Sequence, residues 1–163
     1  MERNRLKWVQ GRAKDILSKK SADRRVAAVD GYLLALEVLY DDANTSVSFE
    51  FVRIDGTAEQ PLAAVARHLG PDLRVELSPT VDWKKELRRD LLQGFLPVSL
   101  QPAVRERMAE TFVLLLNRAC SDTASAWRVT TEPTDGSYYH CAWNTYLFPT
   151  PDGLFLLHCA IDD

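Results

Sequence analysis

The sequence lacks the short motifs that carry the commonest enzyme chemistries. It contains seven glycines, four of which follow an aspartate, so no glycine-rich stretch remains to cradle a phosphate, and neither Walker A nor G-x-G-x-x-G occurs. The H-E-x-x-H and G-x-S-x-G signatures are also absent. These absences argue against nucleotide-binding enzymes, zincin proteases and α/β-hydrolases, and no cofactor is expected.

Long apolar segments and a disulfide framework are missing as well. A membrane-spanning helix needs about 20 consecutive apolar residues, and no apolar run in the sequence approaches that length. The N-terminal residues also lack the apolar stretch of a secretory signal. The three cysteines, Cys120, Cys141 and Cys159, are odd in number and unevenly spaced, unlike those of small secreted domains. We therefore expect a cytoplasmic protein with reduced thiols.

Charge is divided unevenly along the chain. Residues 1–25 contain nine lysines and arginines and three acidic residues, a net charge of 9 − 3 = +6, whereas the whole chain carries −3, which leaves −9 for the remainder. An acidic body repels phosphate groups, so nucleic acid is not the expected partner. A basic protein partner suits this body better, and we expect the basic residues within 84–89 to form a solvated helix face.

The length of 163 residues suits one domain with one core. Asp-Gly pairs recur along it, and this dipeptide favours tight hairpin turns because both central residues of a type I′ turn need a positive φ. The pairs are Asp30-Gly31, Asp55-Gly56, Asp135-Gly136 and Asp152-Gly153. They predict a mostly antiparallel sheet.

Hydrophobic periodicity places helices and strands between these turns. Residues 1–20 are predicted to contain a basic helix, over 4–19, at the periphery of the domain. Residues 26–40 allow either a helix, because they are rich in Ala and Leu, or two strands around Asp30-Gly31, and we predict strands. Further helices are predicted over 59–69, 83–95 and 102–119, and strands over 46–54, 73–77, 126–132, 137–148 and 154–161.

The predicted fold class is therefore α+β. The whole chain, 1–163, is expected to form a single domain in which about four helices pack on a mostly antiparallel β-sheet. The last two strands are expected to form a C-terminal β-hairpin.

The dipeptide His-Cys occurs once on each strand of that hairpin, at 140–141 and 158–159. Histidine and cysteine are zinc ligands, but neighbouring residues of a strand point to opposite faces, so neither dipeptide can hold one ion and no metal site is predicted. If Phe148 pairs with Leu154, the cysteines fall on the core face and the histidines fall on the other face.

That other face is the best candidate for function, because it collects polar and aromatic side chains: His140, Asn144, Tyr146, His158 and Asp162. A histidine beside Asp162 suits general acid–base catalysis, although the two histidines are too far apart to act together. The same mixture of side chains suits a protein-recognition surface. The predicted partner-binding residues are Asp41, Asp42, Asn144, Tyr146, Asp162 and Asp163.

No motif identifies a family, but in size and charge the chain resembles the small acidic α+β proteins that neutralise bacterial toxins. The resemblance implies that the acidic body, with residues 138–163 and Asp41 and Asp42, covers the basic active site of a toxin. We therefore expect a protein-binding module of immunity or antitoxin type. Two alternatives stay open: a hydrolase that uses His140 or His158, and a secretion or assembly chaperone.

Overall fold

A computed structural model describes residues 24–40, 46–121, 123–136 and 142–162. Within these ranges the chain forms four α-helices, a single π-helical turn and five strands. In chain order the elements are α1 (Arg24–Leu39), β1 (Ser46–Ile54), α2 (Pro61–Leu69), β2 (Leu73–Pro79), α3 (Trp83–Asp90), the π-helical turn (Leu91–Phe95), α4 (Pro102–Ala119), β3 (Trp127–Pro133), β4 (Ala142–Thr150) and β5 (Gly153–Asp162). The helix predicted over 4–19 lies outside the described residues.

The five strands form one sheet in the order β1-β5-β4-β3-β2. Every neighbouring pair is antiparallel, and β4 and β5 form the C-terminal hairpin. The fold class predicted from the sequence is confirmed. No helix in the described part of the chain is long and apolar enough to cross a membrane.

Helix α1 corrects the prediction of two strands over 26–40. Its residues Val29, Leu33 and Leu36 recur at helical spacing, and all three are buried in the core. Gly31 lies on an exposed side of the helix with open space around it. A glycine there costs about 1 kcal/mol of helix propensity, which is small beside the burial of the apolar residues. Asp30-Gly31 therefore does not form a turn.

The helices lie on both faces of the sheet. On one face, which we call the helix face, α1, α3 and α4 enclose the larger hydrophobic cluster, where Trp83 packs edge-on against Phe148 at 5.0 Å between ring centroids. On the second face, α2 covers a smaller cluster around Val65, Leu154 and Leu156. The alternating residues of each strand are thus divided between two cores.

A pair of glycine substitutions tests the correction at α1. We expect Gly31→Ala to raise the free energy of unfolding by about 0.5 to 1 kcal/mol, because alanine is the better helix former and nothing lies within 4 Å of the added Cβ. We expect Gly56→Ala to lower it by more than about 2 kcal/mol, because φ there is +149° and the added Cβ would overlap the side chain of Ala64.

Urea denaturation of both variants beside the wild type measures these changes. A Gly31→Ala variant that is less stable than the wild type would contradict the helix and favour a turn at this position.

Candidate functional site

The register of the C-terminal hairpin differs by one residue from the predicted one. Phe148 pairs with Phe155 and not with Leu154, so His158 lies opposite Thr145. The cause is the turn: β4 continues to Thr150, whose hydroxyl donates to the Gly153 carbonyl oxygen at 2.9 Å and closes the hairpin over two residues. A one-residue shift exchanges faces between the strands, so the predicted sorting of side chains is wrong.

The corrected register separates the residues that were predicted to share a functional face. Asn144 and Tyr146 lie on the helix face together with Cys159, whereas His158 lies on the second face. Tyr146 is fully buried, so it belongs to the core and not to an exposed surface. Cys159 is buried as predicted, and burial raises the pKa of its thiol. The remaining predicted site residues, apart from Asp162, lie outside the described residues: His140, Asp41, Asp42 and Asp163.

A buried polar network joins the end of α3 to β3 and β4. The Asp90 carboxylate, 7% exposed, accepts a hydrogen bond from the Tyr146 hydroxyl at 2.7 Å and one from Arg128 Nη1 at 2.9 Å. Arg128 also donates to the Tyr146 hydroxyl at 3.0 Å and to the side-chain oxygen of Asn144. The exposed Arg89, next to Asp90 in the chain, also donates to the carboxylate at 3.3 Å, so two guanidinium groups compensate the buried charge.

The network holds Tyr146 as a neutral hydrogen-bond donor. Burial raises the pKa of its phenol, and the hydrogen bond to Asp90 raises it further, while Arg128 acts in the opposite direction. The guanidinium carbon of Arg128 lies 5.4 Å from the centre of the Tyr146 ring. These hydrogen bonds link α3 to β3 and β4 and so position the helix on the sheet.

Asp90 and Arg128 were not among the predicted site residues. Asp90 lies three residues after Leu87, on the apolar side of its helix, and a charge at such a position indicates a buried partner of opposite charge. Arg128 carries no such signal, because it alternates with the buried Val129 and shares its strand face with the exposed Thr130.

Substitutions in this network should be strongly coupled. We expect Asp90→Asn to cost about 2 to 4 kcal/mol of unfolding free energy, because it leaves the Arg128 charge uncompensated, and Tyr146→Phe about 1 to 2 kcal/mol. The double variant should lose less than the sum by about 1 kcal/mol or more, since both substitutions remove the same hydrogen bond. Urea denaturation of the four proteins measures the coupling, and additive losses would contradict a shared network.

On the second face, a polar row crosses three strands. His158 on β5 lies opposite Glu50 on β1 and opposite Thr145 on β4, and His158 Nδ1 is 2.7 Å from the Thr145 hydroxyl oxygen. Thr145 is 1% exposed, so its hydroxyl is not available to attack a substrate. The contact with Thr145 fixes the orientation of the imidazole, and His158 and the exposed Glu50 are the ionisable side chains of this row.

One end of the sheet gathers carboxylates. This acidic end consists of the first residues of β1, β2 and β4 and the last residues of β3 and β5, with the adjoining turns. The charged residues of these strand ends and turns whose side chains are described are Asp72, Arg74, Glu132 and Asp135. Their net charge is 1 − 3 = −2, and strand β5 ends at this end with Asp162. In the sequence, Asp41 and Asp42 shortly precede β1, and Asp163 follows β5.

The two thiols in the described part of the chain are poor candidates for nucleophilic chemistry, and Cys141, which was predicted on the core face, lies outside it. Cys120 and Cys159 are free and buried, and burial raises the pKa of the Cys120 thiol to about 12. Such a thiol stays protonated near neutral pH and is inaccessible to a substrate. Both cysteines therefore act as small core residues.

No protein-family profile, curated protein or solved structure matches the chain. Two of its features have the chemistry of a functional site. They are the acidic end and the row of Glu50, His158 and Thr145.

Proposed function

We propose that this chain is a protein-binding module of immunity or antitoxin type that neutralises a basic bacterial partner by covering it with the acidic end. The observation that carries the proposal is the collection of Asp72, Glu132, Asp135 and Asp162 at one end of the sheet, with Arg74 as the cation among them. The arginine or lysine that precedes Arg74 in the sequence is Arg67, which lies in the last turn of α2 and not in a strand end or turn of the acidic end.

Three carboxylates of the acidic end, Asp72, Glu132 and Asp135, lie at the ends of the neighbouring strands β2 and β3. Neighbouring strands are about 4.8 Å apart. This spacing is shorter than the screening length of about 8 Å at physiological salt, so the charges reinforce one another. A field of one sign steers an oppositely charged protein and raises its association rate.

The acidic end is also held rigidly. Asp72 and Asp135 flank the paired strands β2 and β3, and the Thr134 N–H donates to the Asp72 carbonyl oxygen at 2.9 Å. Side chains on a pre-formed sheet lose little freedom when a folded partner docks. These properties support a module that binds a folded partner, whereas a chaperone would bind extended segments of its client.

A charge-reversal experiment with a matched control tests the proposal. One triple variant reverses charges at the acidic end: Asp72→Lys, Glu132→Lys and Asp135→Lys. The other makes the same change of net charge at the opposite end of the sheet: Asp55→Lys, Glu59→Lys and Asp152→Lys. Tagged proteins capture partners from the source cells at about 0.15 M salt, and mass spectrometry quantifies what is retained.

We expect the wild type and the control to retain one basic protein near equal stoichiometry. We expect the acidic-end variant to lose at least about 90% of it, and about 0.5 M salt to slow its association with the wild type markedly. Equal retention by both variants, or equal loss from both, would contradict the proposal. Circular dichroism confirms that the two variants are folded.

A hydrolase remains the second candidate, because Thr145 holds His158 at 2.7 Å beside Glu50, as a general base requires. This candidate predicts that His158→Ala abolishes hydrolysis of a chromogenic ester or phosphoester, while the urea midpoint changes little. Glu50→Gln should then lower the rate and shift its pH profile. No hydrolysis by the wild type, or unchanged turnover in His158→Ala, would remove this candidate.

A further inference from the structure

Strand β2 lies at the edge of the sheet, and the direction of its outer backbone groups can be read from its pairing with β3. The Thr80 N–H donates to the Ala126 carbonyl oxygen at 3.0 Å, and the Thr134 N–H donates to the Asp72 carbonyl oxygen at 2.9 Å. Even-numbered residues of this segment therefore point their backbone groups toward β3. In an antiparallel strand the alternate residues, Leu73, Val75 and Leu77, point theirs away from the sheet.

No other strand in the described part of the chain pairs with this outer edge. The opposite edge strand, β1, is different: the Glu37 carboxylate, 3% exposed, accepts a hydrogen bond from the Phe49 N–H at 2.9 Å. Proteins usually protect edge strands, because unpaired N–H and C=O groups are a template for another strand. Among the described residues, the edge of β2 is thus the open one.

The side chains of β2 are self-complementary about Val75: apolar residues lie at equal distances on either side, and so do two residues of opposite charge. Leu73 and Leu77 lie two residues to either side and are partly buried on the second face. Arg74 and Glu76 lie one residue to either side and are exposed on the helix face. Neither of these two forms a salt bridge within the described residues, whereas Arg88 and Arg128 do.

We propose that a second copy of this chain pairs with β2 edge to edge, antiparallel and centred on Val75. Leu73 then lies opposite Leu77 of the second copy, and these outward-pointing residues exchange backbone hydrogen bonds. Arg74 lies opposite Glu76 of the second copy in the closer, non-hydrogen-bonded kind of pair, which favours ion pairing. The two five-stranded sheets become one ten-stranded sheet with two-fold symmetry.

Neighbouring registers are excluded by charge and by direction. Centring the pair on Arg74 or on Glu76 would place like charges opposite each other on the axis, which is destabilising. Shifting one copy of β2 by a single residue would place a residue whose backbone groups point outward opposite one whose backbone groups point toward β3. The side chains of the two copies would then also lie on opposite faces of the sheet. The Val75 register satisfies the hydrogen bonds, the charges and the apolar side chains together.

Two prolines limit the length of strand that can pair with the second copy. Pro71 precedes the strand and Pro79 ends it, and proline has no N–H to donate. In the two-fold arrangement both copies of α2 lie on the same face and enclose Leu73, Val75 and Leu77 between them. The edge is consumed when the second copy binds, so a closed dimer forms instead of a fibre.

The test measures mass against concentration by sedimentation equilibrium between about 1 µM and about 1 mM. Glu76→Arg and Arg74→Glu each place like charges opposite each other and should raise the dimer dissociation constant at least about tenfold. The double exchange Arg74→Glu with Glu76→Arg restores opposite charges and should recover dimerisation. Glu59→Arg, outside the strand, is the control for net charge and should leave it unchanged.

Val75→Pro tests the backbone pairing separately. The backbone N–H of Val75 points away from β3. Proline at this position therefore removes a hydrogen-bond donor from the dimer interface in each copy and leaves the hydrogen bonds to β3 intact. We expect a folded monomer, checked by circular dichroism, whereas the wild type should protect the amides of Leu73, Val75 and Leu77 from deuterium exchange as its concentration rises.

A wild type that is monomeric throughout the range would overturn the inference. A dimer that persists in both single charge variants and in Val75→Pro would also overturn it, since its interface would lie elsewhere. The inference is independent of the basic partner: the capture experiment concerns Asp72, Glu132 and Asp135, and none of these is altered in the dimerisation variants.

Discussion

The buried carboxylate of Asp90 is the contact on which the rest of the arrangement depends. It lies where α3 ends, and it is neutralised by Arg128 from β3 and hydrogen-bonded by Tyr146 from β4. A buried charge without its partner costs several kcal/mol, so the helix layer and these two strands can meet in few ways. A one-residue shift of β4 would move Tyr146 to the other face and leave the carboxylate short of a donor.

The order and the directions of the strands fix the position of the two surfaces. They place Asp72, Glu132 and Asp135 at the same end of the sheet as Asp162, and they leave β2 at an edge with which no other described strand pairs. The two surfaces are compatible, because a dimer formed at the β2 edges would direct its two acidic ends in opposite directions. One basic partner could then bind each copy.

Much of the fold could be predicted from the sequence, because period-two and helical patterns are local properties. The predictions for α4, α2 and β1 agree with the structure nearly residue for residue. The prediction failed at 26–40, where one Asp-Gly pair was given more weight than the apolar residues around it. Turn propensity is local and weak, whereas the burial of Val29, Leu33 and Leu36 depends on a core that the sequence does not display.

The candidate site was harder to predict for the same reason. The hairpin register depends on the Thr150 hydroxyl and on a two-residue turn, and an error of one position moved Tyr146 from the core to the surface. The charge of the protein was easier to predict than the register. Composition alone shows that the body of the chain is acidic, but only the strand order shows that acidic residues lie at one end of the sheet. Asp90 was visible as a charge on the apolar side of its helix, whereas Arg128 lies on the polar face of its strand and gave no such signal.

The most direct test of the account is an NMR measurement of cross-strand contacts in the C-terminal hairpin. Because the Asp90 network requires Tyr146 on the helix face, we predict nuclear Overhauser contacts that place Thr145 opposite His158 and Phe148 opposite Phe155. Contacts that place Asn144 opposite His158 would contradict the account, since the hairpin would then have the register that the network excludes.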